Sequence, residues 1–162
     1  MRLMKTSLVA LAAGGLFALN AHADSTETFT VQGDVPVICQ ANNNSVADPE
    51  IIDLTSSASQ TLGSFTYVCN SAAGFTRTIS SASSGFLING SQQIPYNLGH
   101  GGGSGLGFAA TQLTTPKVTN LAGSTAFIAG QTGSINVSVS GNTAGLFAGT
   151  YADDVTLAIT AN

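Results

Sequence analysis

Hydrophobic and polar positions alternate along this chain in short runs. Residues 28–39 read "TFTVQGDVPVIC", with Phe29, Val31, Gly33, Val35, Val37 and Cys39 in one set and Thr30, Gln32 and Asp34 in the other. A period of two is the signature of a β-strand with one buried and one solvated face. In "SFTYVCN" the same spacing puts Phe65, Tyr67 and Cys69 on one face. "GSINVSVSG" sets Ile135, Val137 and Val139 against Ser134, Asn136, Ser138 and Ser140. "TYADDVTLAIT" groups Tyr151, Val155, Leu157 and Ile159, with Asp153 the one polar member. Shorter strands are expected in "EIIDLT", "FTRTIS", "IPYNL" and "TAFIA".

Between these runs lie turn-rich pieces: "QANNNSVADPE", "NSAAG", "SASSG", "GHGGGSGLG" and "GNTAG". Their Gly, Asn, Asp and Ser supply the backbone freedom and local hydrogen bonds that turns need. Seven or more short strands at this spacing, with almost no helical pattern, predict an all-β antiparallel sandwich. No unit of 20–50 residues recurs, so a solenoid or propeller is not expected. The first run carries an interruption. Pro36 lacks the N–H that a central strand must donate, so an unbroken strand over 28–39 is awkward. It would fit as one bent edge strand, or as two segments with different roles.

The start of the chain has a different character. "MRLMKTSLVALAAGGLFALNAHA" has Arg2 and Lys5, then an apolar run over 8–19, then Ala21-His22-Ala23. That run is too short to span a bilayer, and Ala-x-Ala is a signal-peptidase exit. Residues 1–23 are therefore expected to be a signal peptide, with Asp24 the mature N-terminus and the product exported. With the leader gone the only basic residues are Arg77 and Lys117, against eight carboxylates, a net charge of −6. Such a chain cannot neutralise a phosphate backbone, so no nucleic-acid partner is expected. Nor does it have the polybasic patch that holds anionic lipid.

Cys39 and Cys69 are the only cysteines, and export sends them to an oxidising compartment. A single disulfide is the economical reading. Closing a loop of this size would stabilise the fold by roughly 3–4 kcal/mol on the chain-entropy model. A zinc site needs about four ligands, and His100 is the only histidine after the leader.

Other chemistry is thin. His100 would be the sole base for a Ser-His-Asp arrangement, and it sits inside "GHGGGSGLG", a glycine-rich stretch read as a flexible surface loop that would hold a base poorly. No serine sits in a G-x-S-x-G elbow. Asp48, Glu50 and Asp53 cluster without EF-hand spacing, and a solvated acidic loop is the default reading. Asp153 and Asp154 point to opposite faces of a strand, so they do not make a paired-carboxylate site. "GLGFAA" matches the loose dinucleotide pattern, but no helix or acidic partner follows it. No catalytic residue, metal or cofactor is expected.

Several of these pieces together resemble the spore coat protein U domain family, which includes subunits of archaic chaperone–usher pili. An exported chain of this size has an alternating start running into Cys39, and a second Cys in "FTYVCN". Tyr-x-Leu follows in "IPYNL", and the end reads "FAGTYADDVTLAIT". "AGTYADDVTLAI" is the most specific piece, close to an A-G-x-Y-x-D-x-V-x-V-x-I ending. The chain departs from the pattern in lacking Phe-Gly after the first Cys, in having no Trp, and in ending "ITAN".

The resemblance implies an immunoglobulin-like sandwich that is incomplete and is completed by a donor strand. Residues 24–34 would be the donor extension, with Phe29 and Val31 as anchoring side chains and Gly33 where the groove is shallow. Residues 35–162 would be the pilin-like domain, its first strand beginning near Val35 and Cys39 tied to Cys69. Tyr151, Val155, Leu157 and Ile159 would form the C-terminal strand. The implied function is a structural subunit of a surface pilus or fimbria serving adhesion or biofilm formation. Its implied partners are neighbouring subunits, a periplasmic chaperone and an outer-membrane usher. Two alternatives stand beside it: a secreted spore-coat-like protein that does not polymerise, and a β-sandwich surface-binding module.

Overall fold

A computed structural model of the protein describes residues 26–162. The leader expected over 1–23 lies outside the described residues. The chain divides between Asp34 and Val35, and Val35–Asn162 is a compact unit. Ahead of that division, residues 26–34 form no strand and are exposed.

The Val35–Asn162 unit is an antiparallel β-sandwich. Its elements in order are β1 (Cys39–Asn43), β2 (Gln60–Cys69), β3 (Phe75–Ser81), β4 (Phe86–Asn89), β5 (Gln92–His100), β6 (Phe108–Thr111), β7 (Lys117–Leu121), α1 (Thr125–Ala129), β8 (Gln131–Val139) and β9 (Val155–Ala161). One sheet runs β1-β2-β8-β5-β4, with β6 also paired to β5; the other runs β7-β3-β9. All the pairings are antiparallel.

Alternation explains the core. Ile135, Val137 and Val139 of β8 are all buried, as are Ile94, Tyr96 and Leu98 of β5, and they pack with Ile79 of β3. A second part of the core gathers Tyr67, Cys69, Phe75, Leu106, Leu121 and Phe127. Burying apolar surface from both inner faces is what holds two such sheets together. The Cys39–Cys69 disulfide is formed, and it joins directly paired residues of β1 and β2.

Four local expectations are corrected. The first strand begins at Cys39, not near Val35; residues 35–38 are exposed and lie outside the ladder, where Pro36 has no N–H to offer. "EIIDLT" is not a strand. Asp53 accepts hydrogen bonds from the N–H and hydroxyl of Thr55, and the Gln60 amide takes both backbone groups of Asp53, so its ladder positions are used locally.

"TAFIA" is the short helix α1, in which Ser124 C=O accepts from Phe127 and Ile128 N–H. This turn buries Phe127 edge-to-face on Phe75, with ring centroids 4.9 Å apart. The glycine-rich stretch after His100 is anchored rather than loose: Leu106 is fully buried in the second core cluster.

Candidate functional site: an open sandwich edge

The three-stranded sheet ends on β9, which pairs with β3 and, among the described residues, with no other strand. Its outer row of N–H and C=O groups enters no ladder with a described strand, although β1 of the other sheet lies beside it, with Cys39 and Ala41 packed on the same cluster as Ile159. Its inward side chains report the same vacancy. Leu157 and Ile159 are only half-buried and Val155 is 43% exposed, whereas the inward residues of β8 are 4–6% exposed. Period two is intact on both strands. What differs is cover.

Beside this edge lies an apolar groove of about 90 Å³ between the two sheets. Ile79, Leu98 and Ile135, all buried, belong to its lining with Leu62, Phe65 and Leu157; Val46 and exposed Val155 complete it. No lining residue carries a polar side chain. Such a groove has no means of orienting a polar substrate, but it can seat aliphatic or aromatic side chains projecting at strand spacing.

The local sequence builds this lining through an irregularity. Leu62 and Phe65 have opposite parity, yet both line the groove, because the β2–β8 pairing shifts between Thr61 and Gly63. Gly63 has φ +146°, and a Cβ there would come within 2.7 Å of the Ser45 backbone. Only glycine fits the bulge that turns Leu62 inward.

A polar cluster occupies the other half of the core. Arg77 on β3 is fully buried, its guanidinium carbon 5.4 Å from the Phe108 ring centre and 5.7 Å from that of Tyr67. Its Nη2 donates to Leu106 C=O at 2.9 Å, while Nε and Nη1 have no partner. His100 Nδ1 lies 2.6 Å from Gly101 C=O, so it carries the proton, and Nε2 accepts from the Tyr67 hydroxyl at 2.8 Å. Burial first, and then the charge of Arg77, pull His100 from its ordinary 6.5 to about 4, against an opposing hydrogen bond to Gly101. Burial pushes the Tyr67 phenol up. The ring fits because Gly133 leaves room; a Cβ there would overlap His100 Cε1.

The positions singled out from sequence separate into groups. Val155, Leu157 and Ile159 lie on β9, but Tyr151 does not. It lines a different hollow of about 290 Å³ with Leu54, Leu146 and Phe147, and its hydroxyl donates to Gln92. The strand starts late because Asp153, at an inward parity, is held by Ser81, Ser83 and Tyr96 instead of entering the ladder. Phe29 and Val31 are 84% and 85% exposed, and nothing lies within 4 Å of where a Gly33 side chain would begin.

His100 ends β5, with both ring nitrogens engaged. Glu50 accepts from Ala47 N–H, and Thr55 holds the Asp53 carboxyl below its ordinary range. Among the described residues, no three His, Cys, Asp or Glu groups gather as a metal site. Sequence reasoning missed Val46 and Leu62 of the groove; the Leu-Gly step at 62–63 was the available signal for a bulge.

Comparisons of the chain with protein-family models, with curated proteins and with solved structures found no match.

Proposed function

We propose that this protein is a structural subunit of a surface fibre that assembles by strand donation. The observation that carries this reading is the free edge of β9 above an apolar groove, with the inward side chains of β9 left half-covered. An unpaired strand over exposed apolar surface calls for another strand. Residues 26–34 have the matching pattern, since Phe29, Val31 and Gly33 alternate with polar neighbours and stand exposed. Backbone hydrogen bonds to β9 would give affinity, and side chains at every second position would fill the groove.

A chain that accepts at one place and donates from another makes a head-to-tail contact. Unless the rotation closes a ring, that contact grows a fibre. The resemblance to the spore coat protein U domain family supplies the rest. A periplasmic chaperone would cover the groove first, and an outer-membrane usher would exchange its strand for the next subunit's extension. The disulfide suits an oxidising compartment. Adhesion or biofilm formation is the role this architecture would serve at the cell surface.

Deleting residues 24–34 tests the reading. The truncated subunit should be exported and held by its chaperone, and should still accept a strand, but should donate none. Fibres as long as those of the wild type, seen by negative-stain electron microscopy, would show the donor assignment to be wrong.

A further inference from the structure

Resting on the strand-donation reading, we infer that the side chain of Asn70 is a positioning residue: it fixes the root from which the donor extension leaves the sandwich. The β1–β2 ladder has its last pair at Cys39 and Cys69, where the disulfide also sits. One further backbone bond follows, from Asn70 N–H to Ile38 C=O at 3.1 Å. The chain after Asn70 then turns away, with Gly74 N–H bonded to Ser71 C=O. Beyond that point β2 offers residues 36–38 no backbone partner.

The Asn70 amide takes over. Its Nδ2 donates to Pro36 C=O at 2.8 Å, and its Oδ1 accepts from Ile38 N–H at 2.7 Å. A primary amide presents a donor and an acceptor side by side, as a peptide group does. It thereby adds one rung to the ladder at the place where Pro36 removes a donor. Burial does not do this work: Val35, Val37 and Ile38 are 83%, 62% and 51% exposed. The fork, the Asn70 N–H bond to Ile38 C=O and the neighbouring disulfide are what hold residues 36–39.

A strand delivered to a second copy of this chain then starts from a set point, which narrows the range of angles between successive subunits. Asparagine is needed for both contacts. Aspartate keeps the acceptor for Ile38 but loses the donor to Pro36; alanine loses both.

The test uses the mature chain as wild type, Asn70→Ala and Asn70→Asp. Amide exchange at Ile38 should quicken roughly five- to tenfold in Asn70→Ala, as expected for one lost hydrogen bond, and stay slow in Asn70→Asp. Both variants should bind a labelled peptide of residues 26–34 as the wild type does, because the groove is untouched. Both should form fibres with a wider spread of inter-subunit angles in electron micrographs. Unchanged angles and unchanged Ile38 exchange, in variants whose wild type forms fibres, would overturn the role of Asn70. A wild type that neither binds the peptide nor forms fibres would overturn strand donation itself, and the role of Asn70 with it.

Discussion

The Tyr96 hydroxyl donates a 2.6 Å hydrogen bond to Oδ2 of Asp153, tying β5 to the segment that leads into β9. The same carboxylate accepts from the Ser81 hydroxyl and from Ser83 N–H, so it also holds the end of β3. One side chain thus joins the two sheets at the point where the edge strand enters. Burial raises the carboxyl's pKa, but hydrogen bonds from Ser81, Tyr96 and Ser83 outweigh it and hold the group below its ordinary 3.8. Burial and then the facing carboxylate push the Tyr96 phenol up, so it remains a donor.

Asp153→Ala should therefore destabilise the sandwich by roughly 1–3 kcal/mol at neutral pH, the cost of orphaning part-buried donors. A carboxyl with a lowered folded pKa adds stability above its unfolded value and loses it as pH falls through the folded one. Urea unfolding should show a gap between wild type and variant at pH 7 that narrows by pH 3. A gap that stays constant with pH would mean that charge on Asp153 contributes nothing.

Arg77 gives the opposite expectation for a charge. It is buried between Tyr67 and Phe108 with two nitrogens unpartnered. Burying an ion without a counter-ion is costly, and apolar replacements of like volume are often neutral or stabilising. Arg77→Met should be at least as stable as the wild type in thermal unfolding. Arg77→Ala should lose about 2–4 kcal/mol, because it leaves a void as well. A methionine variant as unstable as the alanine one would show that the guanidinium's own contacts hold this half of the core.

Particular residues show what the sequence could and could not tell. Ile135, Val137 and Val139 were legible because β8 has one core face and one face of Ser and Asn. Arg77 shares the parity of Phe75 and Ile79 in β3, and the structure puts all three on the core face. Leu62 was hidden by the bulge at Gly63, which reverses parity within β2. Tyr151 was over-read as strand because Asp153 keeps the alternation while its carboxylate is drawn aside. In "TAFIA" five residues are too few for period two to separate strand from a helical turn. No alternation or turn signal marks the free edge of β9, because an absent neighbour is a long-range backbone relationship; only the family resemblance implied an incomplete sandwich.

His100 should make the fold acid-sensitive. Its folded pKa of about 4 lies below the ordinary 6.5, so the unfolded chain binds a proton that the folded chain refuses. Stability should be full above about pH 7, fall as pH drops toward 4, and level off below that, with a total on the order of 3 kcal/mol. His100→Gln should flatten this part of the profile in denaturant titrations. Arg77→Met should shift the His100 transition upward, since the neighbouring cation is its second cause. A His100 resonance titrating near 6.5 by NMR would contradict the buried Tyr67–His100 geometry.

The open edge itself can be tested within one chain. β9 ends at Ala161, so a second copy of residues 26–34 joined after Asn162 by an Asn-Gly turn could fold back along the free edge. It would pair with β9 in the antiparallel sense and carry its copies of Phe29 and Val31 to the groove. Full burial of such side chains is worth about 1.5–3 kcal/mol each, less the cost of ordering the strand. The fused protein should unfold at higher temperature by several degrees and stay monomeric, and the exchange of β9 amides should slow. Replacing Phe29 by Asp in the appended copy alone should cancel the gain. A fusion that melts with the wild type, or whose β9 amides exchange as before, would mean that this edge does not accept the segment.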